Sequence, residues 1–285
     1  MSIKISYKKG ISEKTIKNYV LFANEEFKIN RLNKLSLSKQ SNQINRTINS
    51  NKSKKKEFIF FNHSPDQKII LIKIKNNQTS TENEKKGANF YNFVKSNLLT
   101  NLTFFDNNIY ETQTKNKSFI EEFLHGMQLK SYEFNKYKTK KETKLITINV
   151  FGNKNKPSNN NQLKFKALEE GTFYTRDLVS EPGNVLHPDE YAKRLNSLKK
   201  IGLKINIYDE KKLKKLGMNA LLGVGQGSIR GSYLVTLEWN GLKNKSKPLA
   251  FVGKGVCFDT GGISLKPAKF MEDMTYDMAG SAVVV

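Results

Sequence analysis

Residues 251–285 of the chain read FVGKGVCFDTGGISLKPAKFMEDMTYDMAGSAVVV. Four charged side chains in this stretch lie on short loops that glycine or proline punctuates: Lys254, Asp259, Lys266 and Asp277. Glycine lets a ligand or a second backbone segment approach closely, and a charge on the solvated surface does not need that. We therefore expect the chemistry of the protein to lie in this stretch.

The residue types in the stretch indicate a metal site. Carboxylates such as Asp259 and Asp277 suit magnesium, manganese or zinc ions. Lys254 can bind a metal only as the neutral amine, so burial or the charge of the metal must lower its pKa. A protonated Lys266 can polarise a carbonyl and hold an oxyanion. The residue chemistry alone leaves two interpretations open, a carboxylate metal site and a group of surface charges on loops.

Other motifs do not indicate a different chemistry. The segment Gly223-Val-Gly225-Gln-Gly227 lacks the GxGxxG spacing of a dinucleotide site and is typical of a turn. His63, His125 and His187 lie far apart and form no i, i+4 pair, so a zinc site built on histidines is not expected. Cys257 has no histidine nearby in the sequence and lies between two apolar residues, which predicts a core residue and not a nucleophile.

Outward from this stretch, apolar runs of strand length alternate with amphipathic helices, which is typical of an α/β protein. In the N-terminal part we expect strands at residues 19–22, 58–61, 69–74 and 145–151, and helices at residues 82–99 and 119–134. Residues 30–56 are polar and without period, which predicts a loop.

The polar segment GNKNKPSNNN predicts a linker between two domains. We expect an N-terminal domain at residues 1–152, a linker at 153–162 and a second, βαβ-type domain at 163–285. In the second domain, helices are expected at residues 163–180, from Pro188 onward and up to residue 216, and strands at 203–208, 220–224, 233–239 and 249–252. Active loops should follow the carboxyl ends of the strands.

Composition limits the class of protein. The 285 residues suffice for two domains. No apolar run approaches the roughly 20 residues that span a bilayer, and the first residues show neither an apolar h-region nor a small-residue cleavage site, so we expect no signal sequence. The single cysteine fits a reducing compartment. We expect a cytoplasmic protein with no membrane contact.

The net charge of +23 is concentrated in the N-terminal part. Residues 1–160 carry 30 lysines and arginines against 13 acidic residues, a net charge of +17. Lysine and asparagine are abundant there and arginine is scarce, whereas a phosphate-binding surface usually favours arginine and interleaved aromatic residues. The excess of lysine and asparagine indicates an AT-rich coding bias, which places these residues on the solvated surface. The alternative is a face that binds a polyanion.

Residues 251–285 resemble the metal-binding stretch of the cytosolic leucyl aminopeptidases, a family of two-metal metalloaminopeptidases. Three further segments resemble family sequences in the same order. Residues 122–138 are similar to its interdomain helix, residues 176–186 (RDLVSEPGNVL) to its RDLVNxPxNxLTP signature, and residues 216–228 (LGMNALLGVGQGS) to a typical segment. The resemblance is weak before about residue 80. It implies an N-terminal α/β (macro-like) domain followed by an α/β mixed-sheet catalytic domain of the zinc-peptidase kind.

The resemblance also implies roles, residue by residue. Lys254 and Asp277 would bind the more exchangeable of two divalent ions, Mn²⁺ or Zn²⁺, and Asp259 would bridge both. Lys266 would hydrogen-bond the substrate carbonyl and then the oxyanion, and Met274 would line the pocket for the first side chain. The implied substrates are peptides with a free N-terminus, leucine favoured, attacked by a metal-bridging water. The implied assembly is a homohexamer.

The family places a further Asp and Glu, in a motif resembling NTDAEGR, beyond the point at which this chain ends. The Arg of that motif holds a bicarbonate that serves as general base. We therefore expect a C-terminally incomplete catalytic domain. If these 285 residues are the whole protein, we expect it not to hold both metals tightly and to be inactive or nearly so. The alternative function is a truncated, inactive relative that binds nucleic acid or a partner protein through its basic N-terminal domain. His187 stands where the family often has a threonine as helix cap.

Overall fold

The computed structural model describes residues 2–10, 15–29, 41–51, 56–106, 108–109, 118–140, 144–152, 156–242 and 247–285. The chain divides into two compact units, Met1–Glu170 and Gly171–Val285. One long helix, Asn159–Ser180, crosses this division, so the last residues of the predicted linker are helical.

A six-stranded sheet forms the centre of the first unit. Its strands are β1 (Ser2–Lys8), β2 (Asn18–Ala23), β3 (Phe58–Ser64), β4 (Gln67–Lys73), β5 (Asn101–Phe105) and β6 (Leu145–Phe151). They lie in the order β1-β6-β5-β2-β4-β3, and every neighbouring pair is parallel except β3 with β4. All six residues of β2 are buried, as expected for a parallel strand that is covered on both faces.

Helices cover both faces of this sheet. They are α1 (Ser41–Asn51), α2 (Ser80–Ser96) and α3 (Phe119–Lys130). Alternate residues of β2 point to opposite faces, so Val20 and Phe22 pack with residues of α2 and α3, and Tyr19 and Leu21 pack with Ile44 and other residues of the opposite face. Thr79 begins α2 with a capping box, in which it and Glu82 exchange hydrogen bonds.

The strands and helices predicted for the N-terminal part are confirmed within a few residues, and the prediction of a loop at residues 30–56 is wrong for its middle part. Residues 41–51 form α1, because Ile44 and Ile48, four residues apart, bury one apolar stripe of an otherwise polar helix. Residues 30–40 and 52–55 of the predicted loop lie outside the described residues. Strands β1 and β5 were not predicted.

An ion pair connects α2 to the segment after α3 and gives the first unit a pH dependence. Lys95 Nζ lies 2.7 Å from Glu133 Oε1, and this contact chiefly lowers the pKa of Glu133 from 4.5 to about 2. A carboxyl group with a depressed pKa stabilises the fold above its unfolded value, and the contribution is lost as the pH falls from 4.5 towards 2. We expect Glu133→Gln to lower the free energy of unfolding at pH 7 by ~0.5–1 kcal/mol, since the pair is partly exposed.

Urea unfolding measured at several pH values tests this expectation. The difference between Glu133→Gln and the unmodified protein should shrink steadily below pH 4.5, the ordinary value for the group. Glu26→Gln serves as a control, because the Lys28–Glu26 pair is far more exposed. A difference that does not change with pH would contradict the assignment to Glu133.

The second unit contains short elements around a small sheet. After the long helix, here α4 (Asn159–Ser180), come α5 (Pro188–Asn196), a 3-10 turn (Ser197–Ile201), β7 (Lys204–Tyr208), α6 (Glu210–Lys215), α7 (Asn219–Gly225), β8 (Leu234–Glu238), α8 (Ala268–Met271), a second 3-10 turn (Glu272–Tyr276) and α9 (Ala279–Val284). The core includes Leu178, Leu186, Tyr191, Leu195, Cys257, Met278 and Ala282.

Three expectations for the second unit are wrong. Residues 220–224 lie in helix α7, since a short apolar run cannot distinguish a strand from a helix. Residues 249–252 were predicted as a buried strand, but they have no regular structure, and Val252 is 95% exposed. The strands β7 and β8 pair antiparallel, so this segment is not a βαβ unit. No helix in the described part of the chain is long and apolar enough to cross a membrane.

Candidate functional site

The main chain at Lys254 packs directly on helix α9. A Cβ atom added to Gly253 would lie 2.4 Å from Ser281 Cα, so only glycine permits this approach. The Ser281 amide donates a hydrogen bond to Lys254 O at 2.9 Å. The close backbone approach that the flanking glycines predict is therefore present, and it places Lys254 relative to α9.

The side chain of Lys254 reaches Asp277, the residue that lies two positions before α9 begins. Lys254 Nζ lies 2.6 Å from Asp277 Oδ1, with the lysine side chain 60% exposed and that of Asp277 17% exposed. The second oxygen, Asp277 Oδ2, is buried and has no hydrogen-bond partner in the described part of the chain. Asp277 thus has one oxygen available to a ligand.

Asp259 and Lys266 form a second pair within one closed loop. Lys266 Nζ lies 2.9 Å from Asp259 Oδ2, and the Gly261 amide donates to Asp259 Oδ1 at 2.8 Å. The Lys266 amide donates to Thr260 O at 2.9 Å and closes the loop. Gly261 adopts a φ of +89°, and a Cβ there would lie 2.3 Å from Ser264 O, so the turn requires glycine.

The electrostatics connect the two pairs. The hydrogen bond from Lys266 lowers the pKa of Asp259 the most, followed by the bond from the Gly261 amide, and the charge of Lys254 also lowers it. Asp259 is therefore ionised at neutral pH. Lys266 Nζ also lies 3.2 Å from Met274 Sδ. The structure brings together all five residues that the sequence singled out: Lys254, Asp259, Lys266, Met274 and Asp277.

The donors of this cluster fit a divalent cation in part. Asp277 Oδ2 is buried and has no hydrogen-bond partner among the described residues, as expected of an oxygen that a cation would use. Both oxygens of Asp259 already accept hydrogen bonds, and Lys254 is paired as an ammonium group. Among the described residues, no three His, Cys, Asp or Glu side chains lie close enough to hold a metal ion. The predicted ligands Lys254, Asp259 and Asp277 include only two carboxylates, so the third ligand would be a lysine.

Two residues near the site were not predicted as functional. Ser281 bonds to the main chain of Lys254, and Tyr191 OH lies 3.0 Å from Ser281 Oγ. Tyr191 lies in the helix that the sequence predicts from Pro188 onward. No local pattern links it to residue 281, because the contact spans 90 positions of the chain.

Cys257, His187 and His125 lie outside the site, at positions where they support the fold. Cys257 is buried, and burial raises the pKa of its thiol to about 11, so its assignment to the core is confirmed. His187 is the N-cap of α5 and accepts a hydrogen bond from the Glu190 amide. His125 is buried in α3 with its Nδ1 2.8 Å from Glu84 Oε1. Neither histidine lies among the site residues.

Comparison with known proteins identifies relatives of both the sequence and the fold. Residues 173–285 match the cytosol aminopeptidase family, catalytic domain. A protein of Chelativorans sp. (strain BNC1) named "Probable cytosol aminopeptidase" is 50% identical over 165 residues, which are 56% of this chain and 33% of the relative. The chain thus matches about a third of the length of such curated relatives.

Solved structures share the fold at lower sequence identity. A tomato leucine aminopeptidase mutant superposes with a TM-score of 0.73 at 22% identity, covering 99% of this chain and 57% of that one. The bottromycin maturation enzyme BotP in complex with Mn superposes with a TM-score of 0.68 at 20% identity, covering 94% and 54%. These likenesses confirm the predicted α/β fold class.

Proposed function

We propose, from the match of residues 173–285 to the cytosol aminopeptidase family, that the chain belongs to this family and that the protein is a metal-dependent aminopeptidase. It removes the N-terminal residue, preferably leucine, from peptides with a free α-amino group. The observation that carries the proposal is the pair of lysine–aspartate contacts, Lys254 with Asp277 and Lys266 with Asp259, held on glycine-dependent loops.

Lys254, Asp259 and Asp277 are the residues that would hold two divalent ions, Mn²⁺ or Zn²⁺. When bound, such ions act as Lewis acids and lower the pKa of water. The buried Oδ2 of Asp277 supports this assignment. To act as a ligand, Lys254 would have to leave Asp277 and lose its proton to solvent water, and the exposure of its side chain leaves it room to do so.

Lys266 is assigned the role of electrophile. Its ammonium group is held by Asp259 and by Met274 Sδ, so it lies in a defined position before substrate arrives. A donor that is fixed in advance stabilises the negative charge that develops on the scissile carbonyl oxygen. Met274 is assigned to the pocket for the first side chain of the peptide, where a flexible thioether suits an aliphatic group such as that of leucine.

A chromogenic assay tests the proposed function. We expect the full-length enzyme to hydrolyse leucine p-nitroanilide when Mn²⁺ is added and to lose this activity when a chelator is added. An N-acetylated leucine substrate is the control, since it has no free α-amino group and should not react. Absence of Mn²⁺-dependent release of p-nitroaniline, together with DNA binding that weakens as salt is raised, would favour a nucleic-acid-binding role for the basic N-terminal part.

Family membership also supports a homohexameric, cytoplasmic enzyme. We therefore include the homohexameric state and the cytoplasmic location in the proposed function. The mass of the assembly in light scattering measures the first of them directly.

A further inference from the structure

The first turn of α9 organises both partners of the Lys254–Asp277 pair. Asp277 lies just before this helix, and the Ser281 amide, within the helix, bonds to Lys254 O at 2.9 Å. Gly253 packs against Ser281 Cα so closely that a Cβ would lie 2.4 Å away. A shift of this turn would therefore move the lysine main chain and the aspartate relative to each other.

The hydroxyl of Ser281 connects this turn to helix α5. Ser281 Oγ donates to Met278 O at 2.8 Å, which uses its single hydrogen. Tyr191 OH lies 3.0 Å from the same oxygen and therefore acts as the donor between the two hydroxyls. Tyr191 is buried, and burial raises the pKa of its phenol to about 12, so it keeps this proton throughout the neutral range.

We propose that Tyr191 and Ser281 are positioning residues, which hold the turn of α9 so that the main chain of Lys254 and Asp277 keep the relative positions from which their side chains could bind a metal ion. The part that concerns metal binding rests on the proposed function. The connection between α5 and α9 rests only on the hydrogen bonds described above. Groups that orient metal ligands in this way typically change metal affinity about 10–100-fold when they are removed.

A pair of Tyr→Phe substitutions provides the test. Tyr191→Phe removes the donor to Ser281 and keeps the ring. Tyr174→Phe is the matched control, because Tyr174 packs against the same core and its buried hydroxyl has no hydrogen-bond partner in the described part of the chain. The two readouts are the Kd for Mn²⁺ by titration calorimetry and, without metal, hydrogen exchange of the peptide that contains residues 279–285.

We expect Tyr191→Phe to raise the Kd for Mn²⁺ by about 10-fold and to speed exchange at the Ser281 amide, while Tyr174→Phe changes neither. Ser281→Ala should reproduce the effect of Tyr191→Phe, and the double variant Tyr191→Phe/Ser281→Ala should add little to it. Equal behaviour of the two Tyr→Phe variants would overturn the inference.

The exchange readout separates this inference from the proposed function. If the unmodified protein does not bind Mn²⁺, the proposed function fails. Faster exchange in Tyr191→Phe alone would then still support the hydrogen-bonded connection between α5 and α9, and unchanged exchange would overturn it.

Discussion

Lys266→Ala should lower the kcat of the proposed enzyme for leucine p-nitroanilide by about 10²–10³-fold, the effect expected when one fixed donor to an oxyanion is removed. The Lys266 ammonium is positioned before substrate binds, by Asp259 Oδ2 at 2.9 Å and Met274 Sδ at 3.2 Å. The interaction gains strength only as charge develops on the substrate oxygen, so the loss should appear in kcat more than in KM.

Two further variants distinguish this role from a general effect of charge. Lys269→Ala removes a positive charge three residues away, on an exposed side chain of α8, and should leave kcat unchanged. Lys266→Arg keeps the charge but replaces a compact ammonium with a planar guanidinium, so it should recover only a small part of the activity. A Lys266→Ala variant that retains kcat while the unmodified enzyme is active would show that Lys266 is not the electrophile.

The sequence predicted which residues meet at this site because the evidence for them is local. Gly253, Gly261 and Gly262 flank the charged residues, and two of these glycines adopt the left-handed conformation. The partner of each lysine could not be predicted in the same way. Lys254 pairs with Asp277, 23 residues away, and the helix α9 that follows Asp277 is bonded through Ser281 to Tyr191, 90 residues away.

The elements of the first unit show the same distinction. Strands β2 and β4 are continuous apolar runs in the centre of the sheet, and the pattern predicted them. Strand β1 reads SIKISYK and lies at the edge of the sheet, where lysines alternate with isoleucines and the strand is only partly buried. Strand β5 is five residues long, and polar residues lie next to it in the sequence, so its apolar run was too short to predict a strand. Their assignment depends on β6, which lies between them in the sheet and far from them in the sequence.

Helices α2 and α3 contact each other through two glycines, a feature that the sequence did not reveal. A Cβ on Gly126 would lie 1.9 Å from Glu84 O, and a Cβ on Gly87 would lie 1.8 Å from Phe123 O. Both obstacles are backbone atoms, which a change of rotamer cannot move. The contact also places Phe90 of α2 and Phe123 of α3, whose ring centroids lie 5.6 Å apart over the sheet.

Gly126→Ala should therefore destabilise the first unit by ~3 kcal/mol, because the two helices must separate and the aromatic core between them must repack. The higher helix propensity of alanine offsets only ~1 kcal/mol of the steric cost. Gly171→Ala is the control for helix propensity: Gly171 is an exposed glycine of α4 at the start of the second unit, and no atom of the described residues lies within 4 Å of an added Cβ. Propensity alone therefore acts there, and the substitution should stabilise slightly. Urea unfolding followed by circular dichroism measures both effects. If Gly126→Ala were as stable as Gly171→Ala, the helices would have room to separate at little cost, and the contact between α2 and α3 would not determine the stability of the unit.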